Sequence, residues 1–478
     1  MLSRRISTLR QKHLSCSLRN CFSTGGVSAW SPTGAVRENV TATGTSDSFY
    51  VVNLAAVVRQ HDRWLKELPR VAPYYAVKCN NDNMVLQTLA NLGCGFDCAS
   101  PAEIAQVRAL HVSPERLIYA NPCKQPSHMQ QAVQNDVNFT VFDSEEELFK
   151  IKEHMPDAQL LMRLRPDDSQ SVCRFGMKYG ADLDEVGSML STATELGLKV
   201  NGVSFHVGSG CYSAQSFADA VELASAAFDM SADYGFKFSV LDLGGGFPGE
   251  VHTGSTTGSA SVAVDESTPS FQRPPPTFEA IAAALRPALD EHFPASRGVK
   301  LMAEPGRYYV HASHTLATQV IGRKVLNSEK NAGHRFKYYI NDGIYGSFNC
   351  LLYDHAHVTP HVLPGGSDGS AAPEPEYCLS SLWGPTCDGL DCVMNEAQLP
   401  ELQVGDWLYW EQMGAYTVAA ASSFNGFSPP KPRYVYDGHP MSEGDHETSH
   451  YERQNVLPHV RLIGDELGTT SCRAADVA

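Results

Sequence analysis

The sequence has no long apolar run, no excess of basic residues and no closely spaced cysteine pair. No stretch approaches the ~18 consecutive apolar residues that a membrane-spanning helix needs. With 37 Lys+Arg against 53 Asp+Glu, a formal net charge of −16 leaves no basic footprint for a nucleic-acid backbone. Neither a bilayer nor a nucleic acid is therefore expected as a partner.

The 13 cysteines are scattered singly and never form a CxxC pair. Neither a disulfide framework nor a zinc ribbon is predicted, and a reducing compartment fits this usage best. Acidic residues are absent from Met1 to Arg37, a Ser-rich stretch that carries six basic residues. This composition is typical of a mitochondrial presequence or, alternatively, of a disordered N-terminal extension.

What is present is a globular composition, with 42% hydrophobic residues in a chain of 478 residues. That length predicts two or three domains, each able to bury a sizeable core. Between Tyr50 and Glu304, short β-branched or aromatic runs alternate with longer amphipathic segments. The eight runs are Tyr74–Val77, Cys94–Phe96, Leu117–Ala120, Phe139–Phe142, Leu160–Leu164, Gly202–Phe205, Val240–Leu243 and Leu301–Ala303. Eight strands with helical crossovers predict an α/β fold, a closed (β/α)8 barrel of the TIM type.

A polar or glycine residue lies at or just after the end of every predicted strand. These residues are Lys78, Asp97, Asn121, Asp143, Arg163, His206, Gly244 and Glu304. In a barrel of this type the carboxyl ends of all strands meet at one mouth, where catalytic groups are placed. The set therefore predicts a single active site.

Beyond about Val310 the sequence becomes β-rich, which predicts a second, mostly β domain that completes the site. Its predicted strands are Thr315–Val320, Phe336–Ile340, Trp407–Trp410 and Tyr416–Ala420. The predicted organisation is an extension 1–37, a strand region 38–53 that joins the β domain, the barrel 54–312, the β domain 313–452 and a tail 453–478. Gly-, Ser- and Pro-rich stretches at 250–276 and 364–376 are predicted to be solvent loops.

Three features of the barrel mouth together indicate a cofactor. Lys78, partly desolvated, is expected to have a lowered pKa and to bond covalently to an aldehyde. The run Gly244, Gly245 and Gly246, with Arg307 after the eighth strand, suits a phosphate. Glu304 can face a ring nitrogen, and His206 could lie flat against the ring. An aldehyde, a phosphate and a ring nitrogen together describe pyridoxal phosphate.

Two histidine patterns are assigned no metal. His446 to His450 matches HExxH, but no apolar helix flanks it to place both histidines on one face. His355 and His357 form an HxH pair without obvious further ligands.

Ten motifs, in order between Phe49 and Pro429, resemble the eukaryotic ornithine decarboxylases, a group of pyridoxal-phosphate-dependent decarboxylases with the alanine-racemase-like fold. They are YYAVKCN, GFDCAS, FDSEEEL, DDSQSVCRFGMKYG, GVSFHVGSGC, LDLGGGFPG, AEPGRYYV, NDGIYGSFNCLLYDHAH, SSLWGPTCDGLD and MGAYTVAAASSFNGF. Single matches of this length would be weak, whereas ten in order are specific.

The resemblance implies a role for each matching residue. Lys78 would carry pyridoxal phosphate, His206 would stack on its ring, and Cys387 would protonate the product at Cα. Cofactor contacts would further include Asp97, Arg163, Ser209, Gly244, Gly245, Gly246, Glu304, Pro305, Gly306, Arg307 and Tyr416, with Glu103 lining the same pocket. Tyr353, Asp354 and Asp388 would bind the substrate, with the two aspartates placed near its distal ammonium.

The same resemblance implies decarboxylation of L-ornithine to putrescine, the entry step of polyamine biosynthesis. Cys387 and Asp388 would reach the pocket of a second subunit, so that the active unit is a homodimer with two shared sites. Antizyme is a further implied partner, and the family expectation is a cytoplasmic enzyme, with the mitochondrial matrix left open by the basic leader. Two alternatives remain: a catalytically inactive protein like the antizyme inhibitors, or a lysine, arginine or diaminopimelate decarboxylase.

Overall fold

The structure, a computed structural model, describes residues 31–249, 275–327, 330, 333–364 and 375–436, and the backbone of 439–440. The HExxH pattern, the leader up to residue 30, the C-terminal tail and most of both predicted loops lie outside these ranges. No helix in the described part is long and apolar enough to cross a membrane.

Helix α1 (Pro32–Thr43) and strand β1 (Phe49–Asn53) precede the barrel. Ser31 caps α1 by accepting a hydrogen bond from the Gly34 N–H, and proline at the first helical position suits this start. Val36 is buried against Phe49 and Trp407 of the β domain. The predicted boundary of the N-terminal extension, residue 37, therefore falls inside a packed helix.

Ten strands follow. They are β2 (Val71–Ala76), β3 (Gly95–Cys98), β4 (Leu117–Tyr119), β5 (Phe139–Phe142), β6 (Gln159–Arg163), β7 (Ser171–Cys173), β8 (Lys199–Ser204), β9 (Ser209–Cys211), β10 (Val240–Asp242) and β11 (Lys300–Ala303). Eight close a barrel in the order β10-β11-β2-β3-β4-β5-β6-β8, while β7 and β9 form a separate two-stranded ribbon. All pairs in the barrel are parallel. Each predicted run overlaps one barrel strand, so the predicted barrel is confirmed.

Helices cover the barrel from outside. They are α2 (Leu54–Glu67), α3 (Asn83–Asn91), α4 (Pro101–Ala109), α5 (Pro126–Gln134), α6 (Glu145–His154), α7 (Val186–Glu195), α8 (Gln215–Ser231) and α9 (Phe278–His292). Side-chain caps start several of them: Ser100 accepts from the Glu103 N–H and Ser144 from the Glu147 N–H. Inside the barrel, Ile118, Val141 and Met302 belong to one buried apolar cluster. This filled interior leaves the mouth as the place for polar chemistry.

The short helix α10 (Arg307–Val310) leads into the β domain. Its elements are β12 (His314–Val325), β13 (Phe336–Ile340), α11 (Cys350–Tyr353), β14 (His361–Val362), β15 (Tyr377–Trp383), β16 (Cys392–Pro400), β17 (Trp407–Trp410) and β18 (Lys431–Tyr436). The sheet order is β16-β15-β13-β12-β1-β18, with β17 pairing with β12 and β14. The segment before the barrel thus supplies β1 to this sheet, between β12 and β18.

One predicted strand of the β domain is wrong. Residues 416–420 form a turn instead, in which Tyr416 has a left-handed φ of 55° and Val418–Ala420 make one 3₁₀ turn. An aromatic and β-branched run favours a strand, but contacts of this segment with the barrel override that preference.

Candidate active site

Lys78 lies in a single 3₁₀ turn, Val77–Cys79, directly after β2. Its side chain is 43% exposed because it points into the barrel mouth, and its Nζ is in direct contact with the Asp97 carboxylate. The contact is local to two strands, since β2 and β3 pair with Ala76 opposite Asp97. Parallel pairing therefore brings an amine and a carboxylate together across 19 residues of sequence.

The expected lowering of the Lys78 pKa is wrong for this structure. Removal from solvent alone would lower the pKa, but the carboxyl groups of Asp97 and Glu304 outweigh that effect and raise the pKa above its ordinary value. Without a bound cofactor, the amine is held as an ammonium by an acidic pocket.

Two carboxyls lie at the base of the mouth. Burial and the neighbouring carboxyls Asp242 and Asp97 raise the pKa of Glu304 well above its usual range. Burial likewise raises the pKa of Asp242 to about 6. Since like charges in low dielectric cannot all ionise, this group of carboxyls retains at least one proton near neutral pH. A basic ring nitrogen placed against Glu304 would meet a donor.

His206, Arg163 and Glu304 line one pocket at the barrel mouth. The Gly208 N–H donates to His206 Nδ1 over 3.0 Å, and the edge-on ring of Phe175 lies 4.7 Å from the imidazole centroid. Burial, with Arg163 and Lys78 nearby, lowers the pKa of His206 well below 6.5. The imidazole is therefore neutral and fixed in orientation, with its proton on Nε2.

The glycine run wraps the His206 turn so closely that side chains are excluded. A Cβ on Gly244 would lie 2.0 Å from the Phe205 carbonyl oxygen, and one on Gly246, at φ 92°, would lie 2.4 Å from that of Gly208. Only glycine permits this approach at positive φ. Such a bare backbone turn is suited to present N–H groups to a phosphate.

Arg307 begins α10 and forms a two-oxygen ion pair with Asp354, at the end of α11. Its Nη2 donates to both Asp354 carboxylate oxygens over 2.6 Å. Its guanidinium carbon lies 5.2 Å from the centroid of the Tyr416 ring. Although burial alone would lower the Arg307 pKa, Asp354 raises it above the ordinary value. The β domain thus brings an acid and an aromatic ring to the rim of the barrel.

Cys387 and Asp388 lie elsewhere, on an exposed turn of the β domain between β15 and β16. The Tyr345 hydroxyl donates to the Asp388 carboxylate, and the Cys387 N–H donates to Asn425 Oδ1 over 3.0 Å. The Tyr345 hydrogen bond lowers the Asp388 pKa. Within the described ranges, the hydrogen-bond partners of Cys387 and Asp388 belong to the β domain. Neither residue contacts Lys78 of the same chain there.

The remaining predicted residues also lie partly at the barrel mouth and partly in the β domain. Ser209 lies in β9 of the small ribbon, and the Glu103 carboxylate accepts from the Ala99 N–H over 2.6 Å beside Asp97. A Cβ on Gly306, which follows Pro305, would lie 2.9 Å from the Cys79 Cβ, so the eighth-strand loop packs on the lysine turn. Tyr353 is 72% exposed on α11.

Sequence reasoning missed three residues of this region. Asp242, a buried acid, directly precedes the residue before the glycine run, and its strand-end position could have revealed it. Tyr345 binds Asp388 across 43 residues, and Asn80 reaches Gly414 across 334 residues. No local pattern marks these last two contacts.

The described residues contain no group of three or more His, Cys, Asp or Glu side chains that could hold a metal ion. They do fit pyridoxal phosphate: a lysine amine, a glycine cradle with an arginine, and a protonated acid meet at one mouth. Among the described residues, one carboxylate oxygen of Asp97 is buried without a hydrogen-bond partner, as expected for a polar group that faces a ligand site.

Comparison with known proteins agrees with this site. Residues 54–311 match the family model described as pyridoxal-dependent decarboxylase, pyridoxal binding domain. Over 404 residues the chain is 46% identical to ornithine decarboxylase of Rattus norvegicus, covering 83% of this chain and 82% of the rat protein. Antizyme inhibitor 2 of Xenopus laevis is also 46% identical over 404 residues, with the same coverages.

A solved structure shows the same architecture. The arginine decarboxylase of Paramecium bursaria Chlorella virus, bound to agmatine, superposes with a TM-score of 0.74 at 34% identity. The match covers 84% of this chain and all of the viral chain, that is 100%. The cofactor implied by the family is therefore pyridoxal phosphate.

Proposed function

Because this chain belongs to the family of pyridoxal-dependent decarboxylases that includes the eukaryotic ornithine decarboxylases, we propose that it converts L-ornithine to putrescine and CO2. The observation that carries the proposal is the contact of Lys78 with Asp97 at a mouth that also holds Glu304 and the glycine turn. A catalytically inactive relative has no need for this complete set. The 46% identity to the rat ornithine decarboxylase supports ornithine as the substrate.

The cofactor would be held at four points. Lys78 would attach its aldehyde carbon, the Gly244–Gly246 turn and Arg307 would bind its phosphate, and Glu304 would face its ring nitrogen. When bound, pyridoxal phosphate supplies an electron-accepting ring that stabilises the electron pair left as CO2 departs. Glu304 would share a proton with the ring nitrogen, so that the positive charge resides on the ring, and neutral His206 offers a flat face without adding charge.

Substrate selection follows from the acids at the rim. Asp354, oriented by Arg307, and Asp388, oriented by Tyr345, are carboxylates suited to the distal ammonium of a basic amino acid. A substrate with a distal carboxylate, such as diaminopimelate, would meet repulsion here. Lysine, longer by one methylene, would be disfavoured by only ~1–3 kcal/mol, so weak activity on lysine is expected.

The exposed position of Cys387 and Asp388 supports a shared site in a homodimer. Leu390 is 74% exposed and Phe424 42% exposed beside this turn, an apolar surface that association would cover. A second subunit would then receive Asp388 for substrate binding and the Cys387 thiol, whose proton would be delivered to Cα of the product. Antizyme remains a proposed regulatory partner.

The test uses the full-length chain supplied with pyridoxal phosphate. We expect an absorbance band near the visible edge that disappears on borohydride treatment and is missing in Lys78→Ala. We also expect CO2 release from ornithine, with putrescine as product, far above the release from equal concentrations of lysine or arginine. The control Lys152→Ala removes an exposed lysine of α6 and should keep the band and the activity.

Two results would contradict the proposal. A cofactor-saturated protein that releases no CO2 from ornithine would indicate the inactive alternative, like the antizyme inhibitors. Faster turnover of lysine or arginine than of ornithine would indicate another decarboxylase of this fold.

A further inference from the structure

Asn80 is a fully buried amide two residues beyond Lys78. Its carbonyl oxygen accepts a hydrogen bond from the Tyr75 hydroxyl over 2.8 Å, and its Oδ1 accepts from the Asp82 N–H over 3.0 Å. The backbone and one end of the side chain are thereby fixed to the barrel. The amide nitrogen is left to point away from these partners.

That nitrogen reaches the β domain. Asn80 Nδ2 donates to the Gly414 carbonyl oxygen over 2.8 Å and lies 3.1 Å from His314 Nε2. The Ser313 hydroxyl donates to the Val310 carbonyl, so its oxygen accepts the Nδ1 proton of His314. His314 Nε2 is then an acceptor, and both amide hydrogens of Asn80 are used.

Burial keeps His314 in the state that this arrangement needs. Removal from solvent lowers the His314 pKa to about 4, so the ring is neutral at neutral pH. A protonated Nε2 would face the Asn80 amide donor with a second donor. The hydrogen bonds of Asn80 therefore connect the barrel to the β domain throughout the physiological pH range.

The β-domain segment Met413–Thr417 makes further contacts with the barrel. The Tyr416 N–H donates to the Cys79 carbonyl oxygen over 2.9 Å, next to Asn80 on the barrel side. A Cβ on Gly414 would lie 1.7 Å from the Val310 carbonyl oxygen, so the segment packs directly on the C-terminal end of α10. Two hydrogen bonds thus tie Met413–Thr417 to the lysine turn.

Tyr416 is held in a costly backbone conformation by these contacts. Its φ of 55° is left-handed, which a bulky side chain adopts only when its surroundings impose it. The same conformation places the Tyr416 ring 5.2 Å from the guanidinium carbon of Arg307. Loss of the Asn80 bond would remove part of what enforces that placement.

We propose that Asn80 is a positioning residue that holds Tyr416 of the β domain against the lysine turn of the barrel and thereby sets the affinity for the cofactor phosphate. The proposal rests on the role proposed above for the pocket, with Arg307 as a phosphate contact and Tyr416, whose ring lies against Arg307, as a cofactor contact implied by the resemblance. Under this proposal, the lysine that attaches the cofactor and the residues that bind the cofactor phosphate belong to one rigid unit.

The experiment measures pyridoxal phosphate affinity of the full-length chain, freed of cofactor by dialysis, for two substitutions. Asn80→Ala and Asn80→Asp both lack the donor to Gly414, whereas only the aspartate keeps the acceptor for the Asp82 N–H. Both are expected to raise the Kd for pyridoxal phosphate roughly tenfold or more, the effect of losing one buried hydrogen bond. If only Asn80→Ala weakens binding, the Asp82 turn is responsible and the proposal is wrong.

The matched control is Asn341→Asp. Asn341 Oδ1 accepts from the Gln319 N–H over 2.9 Å and its Nδ2 donates to the Ser46 carbonyl over 2.8 Å, so the substitution also removes one amide donor and keeps one acceptor. This site touches neither Lys78 nor Tyr416. The control is expected to bind pyridoxal phosphate as the wild type does; an equal loss would overturn the proposal.

Two further readouts separate positioning from a general structural defect. Pyridoxal, which lacks the phosphate, should bind all Asn80 variants with wild-type affinity. In a Tyr416→Phe background, Asn80→Asp should have little additional effect on the affinity for pyridoxal phosphate, because both changes act on one contact. A loss of pyridoxal affinity, or fully additive effects, would refute the role of Asn80. Since no amino acid is present, these results are independent of whether ornithine is the substrate.

Discussion

Burial sets the charge of the groups around the barrel mouth. Lys78 is kept cationic chiefly by the Asp97 carboxylate, burial lowers the pKa of His206, and burial with acidic neighbours raises the pKa of Glu304 well above its usual range. The charge of Lys78 differs from the one that sequence alone suggested, and the raised pKa of Glu304 differs from that of a glutamate in water. The pocket therefore carries charge that complements a phosphate-bearing aldehyde with a basic ring nitrogen.

The effect of burial on charge can be tested outside the site at His61, on α2, through the pH dependence of stability. Burial lowers its pKa from 6.5 to about 4, and its Nδ1 lies 3.0 Å from the Tyr309 hydroxyl. The folded state thus favours the neutral ring, and this contribution is full above pH 6.5 and is lost as pH falls toward the folded pKa of about 4. Between pH 7 and pH 5 the wild type should lose roughly 2 kcal/mol more unfolding free energy than His61→Gln in denaturant titrations. Parallel losses in both proteins would contradict this assignment.

The turn that carries Cys387 and Asp388 is held by a buried acid of the same turn. Asp391 is 1% exposed; its Oδ1 accepts from the Ile344 N–H over 2.8 Å, and its Oδ2 from the Thr386 N–H over 2.9 Å and the Thr386 hydroxyl over 2.7 Å. Such a carboxylate, saturated with donors, makes the turn rigid before any second subunit arrives. Preformed geometry lowers the ordering cost of a shared site.

Asp391→Asn is expected to loosen this turn without disturbing the barrel mouth. The amide places an NH2 against backbone donors, and each unsatisfied buried donor costs about 1–3 kcal/mol. Ornithine turnover should fall at least tenfold, while the Kd for pyridoxal phosphate stays at the wild-type value. Asp406→Asn, which affects a carboxylate that accepts from the Gln403 N–H in another turn, is the control and should retain activity. Full activity in Asp391→Asn would show that the turn needs no such support.

For the molecule as a whole, the division of the site between two domains has a consequence for assembly. The barrel supplies Lys78, while Cys387 and Asp388 lie on an exposed turn of the β domain. If a second subunit receives that turn, neither subunit is active alone, and each closed dimer contains two identical sites.

Mixing two inactive variants tests this arrangement. Lys78→Ala and Cys387→Ala are each expected to be nearly inactive, whereas an equimolar mixture after subunit exchange should regain about a quarter of wild-type activity. Half of the dimers are then mixed, and each mixed dimer has one site with both residues intact. A mixture that stays as inactive as its components would place Cys387 and Lys78 in the same subunit's site.

Local sequence was sufficient for the barrel and for the cofactor residues within it. Periodicity marked all eight strands, and parallel pairing then required that Lys78, Asp97 and Glu304 meet at one mouth. The β domain was harder to predict from the sequence. Strands β15, β16 and β18 were not predicted, and the strand predicted at 416–420 is wrong. Strand pairs between residues distant in the chain, parallel for β13 with β15 and β1 with β18 and antiparallel for β15 with β16, determine those strands, and such pairing leaves little periodic signal.

The sequence by itself thus determined the fold of the barrel, the cofactor and the residue types at its mouth, because these depend on short-range patterns and on strand order. Only the tertiary structure decided the charge state of Lys78, the pairing of Arg307 with Asp354 and the strained placement of Tyr416. Those features depend on burial and on contacts between residues separated along the chain, from 47 residues for Arg307 with Asp354 to 334 for Asn80 with Gly414. A pKa and a long-range hydrogen bond are properties of surroundings that only the folded chain creates.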